Sequence, residues 1–368
     1  MKICHMTSAH DSNDIRILKK ECVSLAKKTE NDVYLVARGE SFVFKNVNIV
    51  GVGDFSGGRI SRILNVSKII VKKAIELDAD IYHFHDPDLL LYANYLKRKG
   101  KIVIFDSHEN YEKQILEKQY IPKPVRSIIR FLYLAIENWA CKCIDAELYP
   151  GENNPYIGRV KECIPIFNTP MVDELHPNVP FEEKKPYVCC VGTLSDTRGI
   201  YYLMQACYKA KTKLVLAGNF SSPEFEQTIK NDEAFSIIDY RGICSREEVQ
   251  MIYDECLIGA DTILRVGQYP FTTCLSTKVY EYMLMKMPYI TSDFEYNKQV
   301  IDEYHCGIYV DPSDVDEIAE AILYLRNNLD ETKKMGENGK LLIENQFSWK
   351  QDEERLYNLY DKLFEQKK

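Results

Sequence analysis

The stretch Cys190-Val191-Gly192-Thr193-Leu194-Ser195-Asp196-Thr197-Arg198-Gly199 carries an apolar run into a segment of helical period. A glycine at such a turn lets the backbone approach an anion, and the following helix start offers unpaired N–H groups to it. Arg198 adds a planar cation that can fork phosphate oxygens. Further on, Ser276-Thr277-Lys278-Val279-Tyr280-Glu281-Tyr282-Met283 opens another helix. Lys278 and Glu281 are three residues apart and share one helical face. The lysine suits a phosphate, and the carboxylate suits a pair of vicinal sugar hydroxyls. Taken singly, these are also a common strand-to-helix turn with a surface arginine and an exposed Lys–Glu pair. Between them, Leu216-Ala217-Gly218-Asn219-Phe220 and Arg241-Gly242 end two more strands.

The first half has a second group of candidates. Thr7-Ser8-Ala9-His10-Asp11-Ser12-Asn13-Asp14 leaves one strand, His83-Phe84-His85-Asp86 another, and Phe105-Asp106-Ser107-His108-Glu109 a third. Strand ends place His85, Asp86 and His108 over a common cleft, with His10, Asp14 and Arg16 beside it. Asp78-Ala79-Asp80 and Asp86-Pro87-Asp88 have the D-x-D spacing of metal-dependent transferases, but the first bridges a helix end and a strand start and reads as cap and turn. His83, His85 and Asp86 lack a fourth partner, so no metal site is expected.

The elements that must hold these residues alternate. Ile3–Thr7, Val33–Ala37, Val47–Val52, Ile81–Phe84 and Ile102–Phe105 read as strands. Asp14–Lys28, Ile60–Leu77 and a segment near Leu89–Arg98 have helical period. Repeated strand–helix–strand order specifies a parallel sheet covered on both faces. After a stretch rich in Pro and acidic residues, the cycle restarts with strands at Tyr187–Val191, Leu214–Ala217, Ile237–Tyr240, Leu257–Ile263, Tyr289–Thr291 and Ile308–Val310. Two Rossmann-like α/β domains facing a cleft follow, with ligands at the carboxyl ends of the strands. Their expected bounds are 1–168 for the first, 169–185 for a linker, 186–347 for the second and 348–368 for a terminal helix.

Gly192-Thr193-Leu194 with Arg198-Gly199, the Leu-Ala-Gly strand end, Arg241-Gly242 and Lys278-x-x-Glu281-Tyr282-Met283 with Met287-Pro288-Tyr289-Ile290 together resemble the GT-B glycosyltransferases, and within them the retaining family 4. Gly307-Ile308 and Phe347-Ser348-Trp349 extend the resemblance into the tail, where the last helix of such folds returns to the first domain. The resemblance implies that Arg198 and Lys278 contact the donor diphosphate and that Glu281 binds the ribose hydroxyls. It implies that Gly192 leaves room for the diphosphate and that Leu275, Ser276 and Thr277 present backbone N–H groups. Thr193, Gly218 and Arg241 complete the donor side. His108 occupies the position of a histidine that touches the transferred sugar, which makes His108, Arg198 and Lys278 the catalytic set. His10, Asp14, Arg16, His85 and Asp86 form the acceptor side, and Asp14-Ile15-Arg16 with Lys20 resembles a subgroup without a glycine-rich acceptor loop. Thr273 departs from the pattern, standing where many members carry a first glutamate directed at the donor sugar. Thr193 departs too, where an arginine often stands, and Arg265 is a candidate to replace a lost cation.

Composition is that of an ordinary soluble globular protein: 45% hydrophobic and 28% charged residues in a chain of 368. The formal charge of −8 counts against nucleic acid as partner. Residues 1–165 carry 25 basic against 21 acidic side chains and the remainder 22 against 34. Positive charge gathers between Lys97 and Arg130, beside Ile121–Trp139, whose large apolar residues alternate with Arg126 and Arg130. That segment suits either an anionic membrane surface or the core. Twelve cysteines lie mostly within apolar runs and lack zinc-site spacing. No signal peptide or membrane span is expected, which predicts a cytoplasmic protein, peripheral at the inner face of the plasma membrane if Ile121–Trp139 meets lipid. The expected function is retaining transfer of a sugar from a nucleotide-diphosphate sugar, with UDP favoured over GDP, to a glycan or lipid-linked acceptor in surface-polysaccharide synthesis. No cofactor is expected. The alternative is a non-catalytic GT-B subunit that binds a glycan or a partner transferase, which the threonine at position 273 motivates.

Overall fold

The computed structural model describes residues 1–55, 65–108, 110–117, 121–151, 154–167 and 169–367. It divides into two compact units, Met1–Asn168 with Trp349–Lys368, and Thr169–Ser348. Each is an α/β sheet domain of Rossmann type.

The first unit is built on eight strands: β1 (Lys2–Asp11), β2 (Asp32–Arg38), β3 (Phe42–Phe44), β4 (Val47–Gly51), β5 (Ile81–Phe84), β6 (Ile102–Asp106), β7 (Ala146–Tyr149) and β8 (Glu162–Pro165). Their order is β3-β4-β2-β1-β5-β6-β7-β8, parallel apart from β3. The chain runs outward from β1 on one side, then crosses to begin again at β5 on the other. The crevice at the carboxyl ends of β1 and β5 is therefore the switch point where open α/β sheets place ligands. Side chains alternate between faces. Cys4 and Met6 of β1 join Tyr82 and Phe84 of β5 in an apolar core on one face, which leaves His5 and its register partner His83 on the other.

Three local features depart from the sequence reading. The helix expected over Asp14–Lys28 is capped by Asp14, whose carboxylate accepts from the Ile17 N–H, but Ile15–Cys22 winds as a π-helix before Val23–Lys27 becomes α-helical. The helix expected from Ile60 is seen over Ser67–Glu76, and residues 56–64 lie outside the described part of the chain. The segment Ile121–Trp139 forms one helix, Lys123–Cys141, that buries Glu137, Ala140 and Cys141 while exposing Val125, Ile128, Ile129, Phe131, Leu132 and Trp139. The core alternative for this helix therefore does not hold over its first half.

The second unit has six parallel strands, β9 (Lys185–Val191), β10 (Leu214–Ala217), β11 (Ile238–Tyr240), β12 (Cys256–Asp261), β13 (Tyr289–Ser292) and β14 (Gly307–Val310), ordered β11-β10-β9-β12-β13-β14. Its switch point lies between β9 and β12. Each face is covered by helices with its own apolar cluster, one around Leu203, Leu216 and Ile322, the other around Val279, Met283 and Leu342. The Pro-rich stretch 169–185 belongs to this unit. Asp254 accepts from the backbone and side chain of Asn178 at 2.9 and 3.0 Å.

Candidate active site

In the second unit the first helix turn after β9 is set locally. The Ser195 hydroxyl accepts from the Arg198 N–H and shapes the turn Asp196–Arg198, and Gly199 at φ +68° starts the helix Ile200–Lys209. Gly192 has φ +126°, in the region that favours glycine. Gly218, ending β10, lies so close that a Cβ there would meet the Gly192 carbonyl oxygen at 1.8 Å. Two glycines at adjacent strand ends thus lower the rim of the sheet and open the space in front of Gly192.

Into that space points the helix Thr277–Leu284, whose first turn is capped by the Ser276 hydroxyl accepting from the Val279 N–H. Gly192, Thr193, Arg198, Ser276, Lys278 and Glu281 line one hollow of about 320 Å³. Arg198, Ser276 and Thr277 also line an adjoining one of about 220 Å³, which reaches Leu275, Tyr269 and Asn297. The guanidinium of Arg198 stacks over the Tyr269 ring, 5.1 Å from its centroid, an arrangement that orients the fork without neutralising it.

The polar groups of this hollow are tied together. The Lys278 ammonium lies 3.0 Å from the Asp261 carboxylate at the end of β12, with both side chains largely buried. Burial opposes the lysine's charge, but Asp261 more than compensates and raises its pKa above the ordinary value. Glu281 accepts from Arg246 Nη1 at 2.7 Å and from the Tyr253 hydroxyl at 2.6 Å. Arg246 is held in turn by Glu174, 3.0 Å away. An ionised carboxylate offers about four lone-pair sites, so Glu281 keeps acceptor capacity for a ligand hydroxyl. The set offers two cations and a helix N-terminus to a diphosphate, with an oriented carboxylate alongside.

One expected donor-side residue, Arg241, and the candidate replacement cation Arg265 lie elsewhere. Arg241 lines neither hollow; its guanidinium donates to Asp239 at 3.0 Å and Glu255 at 2.5 Å. Arg265 is half-exposed and paired with Asp293. Asp261, Arg246, Tyr253 and Glu174 complete the site without belonging to any of its sequence motifs. Their pairing partners are 17 to 72 positions away, so no local motif marks them.

In the first unit, His10 and His108 are stacked with ring centroids 4.9 Å apart and are both partly exposed. Asp106 holds the Nε2 of His108 at 2.9 Å. Behind them the expected acceptor-side residues are turned inward. Asp86 accepts from the N–H groups of Ser8 and Ala9 and from the Thr7 hydroxyl, so it fixes the loop after β1. Arg16 grips Asp106 at 2.6 Å and Glu21 at 3.1 Å. Burial opposes ionisation of Asp106, but Arg16 and His108 overcome it and hold the carboxyl well below the usual range. His85 is fully buried beside His5 and His83, and Asp14 serves as the helix cap. Both D-x-D pairs are structural: Asp80 accepts from the Lys2 N–H, and Asp88 from the hydroxyls of Ser8 and Ser67. Glu109 lies outside the described residues.

Residues 171–342 match the model of the family described as glycosyl transferases group 1. No curated protein matches the sequence. The fold is that of solved GT-B glycosyltransferases. A sucrose-phosphate synthase from Thermosynechococcus elongatus superposes with a TM-score of 0.73 at 13% identity, over 99% of each chain. Anabaena HepE in complex with UDP and glucose gives 0.69 at 14%, over 98% of this chain and all of that one. WaaG, a glycosyltransferase involved in lipopolysaccharide biosynthesis, gives 0.67 at 12%, over 96% of this chain and 98% of that one.

Proposed function

From a chain of GT-B fold whose second unit carries a glycosyl transferases group 1 domain, we propose a retaining transferase of family 4 type that takes a sugar from a nucleotide diphosphate to a hydroxyl of a glycan or lipid-linked acceptor. The observation that carries this reading is the convergence of Arg198, Lys278 and the start of the helix Thr277–Leu284 on one hollow that also holds Glu281. The donor's diphosphate lies against the two cations and the helix N–H groups, and its ribose hydroxyls against Glu281. The bond from the sugar C1 to the phosphate oxygen breaks as the acceptor oxygen forms a bond to C1 from the same face. The acceptor's proton passes to the departing phosphate. Fixed charge at the leaving group is the main source of acceleration, and the reaction is proposed to need no metal at that point. Bound UDP in a neighbour of the same fold supports UDP as the nucleotide.

The exposed stripe Val125, Ile128, Ile129 and Leu132 repeats at helical spacing with Phe131 next to it. It supports peripheral attachment of the first unit to a membrane carrying a lipid-linked acceptor, and work in surface-polysaccharide synthesis. Among the described residues no helix is long and apolar enough to cross a membrane. The second reading, a non-catalytic GT-B subunit, is favoured by Thr273. Incubation with a panel of UDP- and GDP-sugars separates the two. Slow donor hydrolysis that disappears in Arg198→Ala supports the transferase. Absence of hydrolysis and of any UDP- or GDP-induced rise in melting temperature overturns it.

A further inference from the structure

Beneath the first unit's switch point lies a closed cluster that the transfer chemistry does not use. His5 and His83 are register partners on β1 and β5, and His85 follows two positions later on the same side of the sheet. The π-helical turn Ile15–Cys22 packs over that face and directs Glu21 into it. All four side chains are fully buried. Glu21 Oε2 is 4.0 Å from His5 Nδ1, 3.9 Å from His83 Nδ1 and 3.9 Å from His85 Nε2. Among the described residues this oxygen has no hydrogen-bond partner, although the other carboxylate oxygen accepts from Arg16. One ligand atom from each of the four falls within 4.8 Å of the others.

An orphaned carboxylate oxygen nearly equidistant from three imidazole nitrogens is costly as a hydrogen-bond network. It is the donor set of a tetrahedral cation. The geometry points to a structural site for a divalent first-row metal, Zn²⁺ in the first instance, held by His5, Glu21, His83 and His85. Bonds of about 2.0–2.2 Å to nitrogen and carboxylate oxygen put tetrahedral ligands roughly 3.3–3.5 Å apart. The carboxylate therefore moves inward by about half an ångström, while His5 Nδ1 and His85 Nε2, now hydrogen-bonded at 2.9 Å, part by about as much and exchange that bond for the metal. Three imidazoles and a carboxylate without thiolate suit Zn²⁺ over softer ions. Two of the three histidines have outer partners of the kind such ligands require, while the outer nitrogen of His83, Nε2, has none among the described residues. Asp106 Oδ2 lies 3.3 Å from His85 Nδ1, and the Tyr360 hydroxyl lies 3.3 Å from His5 Nε2. Tyr360 also sits 2.7 Å from His83 Nδ1, and on metal binding it keeps His5 as its partner.

With no ligand reaching solvent the site is closed, which assigns it to folding and not to catalysis. The ion would tie β1, β5 and the π-helical turn at the point where Tyr360, on the helix Trp349–Glu365, reaches them.

The test uses the full chain, purified from zinc-supplemented medium and dialysed against metal-free buffer. Elemental analysis should give about one Zn²⁺ per chain, released to a colorimetric chelator only when guanidinium unfolds the protein. Refolding with Co²⁺ should produce the visible d–d absorption of a tetrahedral site. Glu21→Gln and His83→Gln should each lower the zinc content at least about tenfold, whereas His108→Ala, outside the set, should retain it. The proposal is overturned if the wild type holds less than about 0.1 equivalent and Co²⁺ refolding gives no visible band. It is also overturned if folded Glu21→Gln keeps its full zinc. Should the variants fail to fold, the wild-type stoichiometry and Co²⁺ spectrum decide alone. None of these readouts depends on transferase activity.

Discussion

Lys278→Met separates what the lysine does for the fold from what it does for the reaction. Methionine keeps most of the stem and removes the charge. The ammonium lies 3.0 Å from Asp261, whose side chain is 4% exposed while the lysine's is 12% exposed. Removing one partner of so buried a pair strands the other charge and costs about 3–5 kcal/mol. The single variant should therefore unfold at markedly lower urea. Adding Asp261→Asn removes the stranded carboxylate and should restore most of that loss. Turnover should behave differently. If the ammonium stabilises the departing diphosphate, loss of one such group costs about 10²–10³ in rate, and the double variant should stay as slow as the single one. Urea titration gives the first quantity, and release of UDP from a donor sugar gives the second. A double variant with recovered stability and near-normal turnover would refute the assignment of Lys278 to the leaving group. A single variant as stable as the wild type would refute the buried ion pair. The lysine's share of this stability is indifferent to pH across the neutral range. The lysine's folded pKa is raised, so its contribution is complete below its ordinary pKa and fades only as pH climbs through the raised value.

Gly218→Ala drives a Cβ into the Gly192 carbonyl at a left-handed backbone position. It should cost about 1–3 kcal/mol or more and abolish the UDP-induced rise in melting temperature, and an unaffected nucleotide shift counts against the glycine pair as the floor of the site. Glu147 is buried with Oε1 unpaired and Asn154 donating to Oε2, and burial pushes its pKa up to about 9. The unfolded carboxyl ionises near pH 4.5, so between that pH and about 9 the unfolded chain binds fewer protons and stability falls as pH rises. Glu147→Gln should flatten this slope and raise the melting temperature at pH 8, and an unchanged pH profile rejects the buried neutral acid. Ile128→Ser with Phe131→Glu should release the chain from anionic vesicles while leaving UDP binding intact. Equal co-sedimentation of variant and wild type removes the lipid surface from the proposal.

The second unit was the more legible half because its chemistry follows its local sequence. Ser195 caps its own turn, Ser276 caps its own helix, and a helix start delivers Lys278 and Glu281 to the same hollow whatever the rest of the chain does. The first unit hides its chemistry in pairs distant along the chain: Arg16 with Asp106, His5 with His85, Tyr360 with His83. A reading by motif sees Arg16 as a cation available to a ligand, since nothing near it in sequence reveals that two buried carboxylates already claim it. The same logic explains why the sequence shows only His83, His85 and Asp86 at this place, one ligand short, whereas in the structure His5 stands where Asp86 is expected. The fourth group, Glu21, comes from the helix after β1, which is wound as a π-helix, a form concentrated at functional sites and one that hydrophobic periodicity does not distinguish from an α-helix. His108 stands between these two cases. Its partner Asp106 is two residues away and was in view, but the value of that contact rests on Arg16. By holding Asp106 ionised, Arg16 secures an acceptor for the Nε2 of His108 and so sets the orientation of that ring. Arg16→Lys, which cannot bridge Asp106 and Glu21 with a planar fork, should therefore lower turnover through His108 while leaving UDP binding by the second unit unchanged. Loss of both together would place Arg16 in the fold alone.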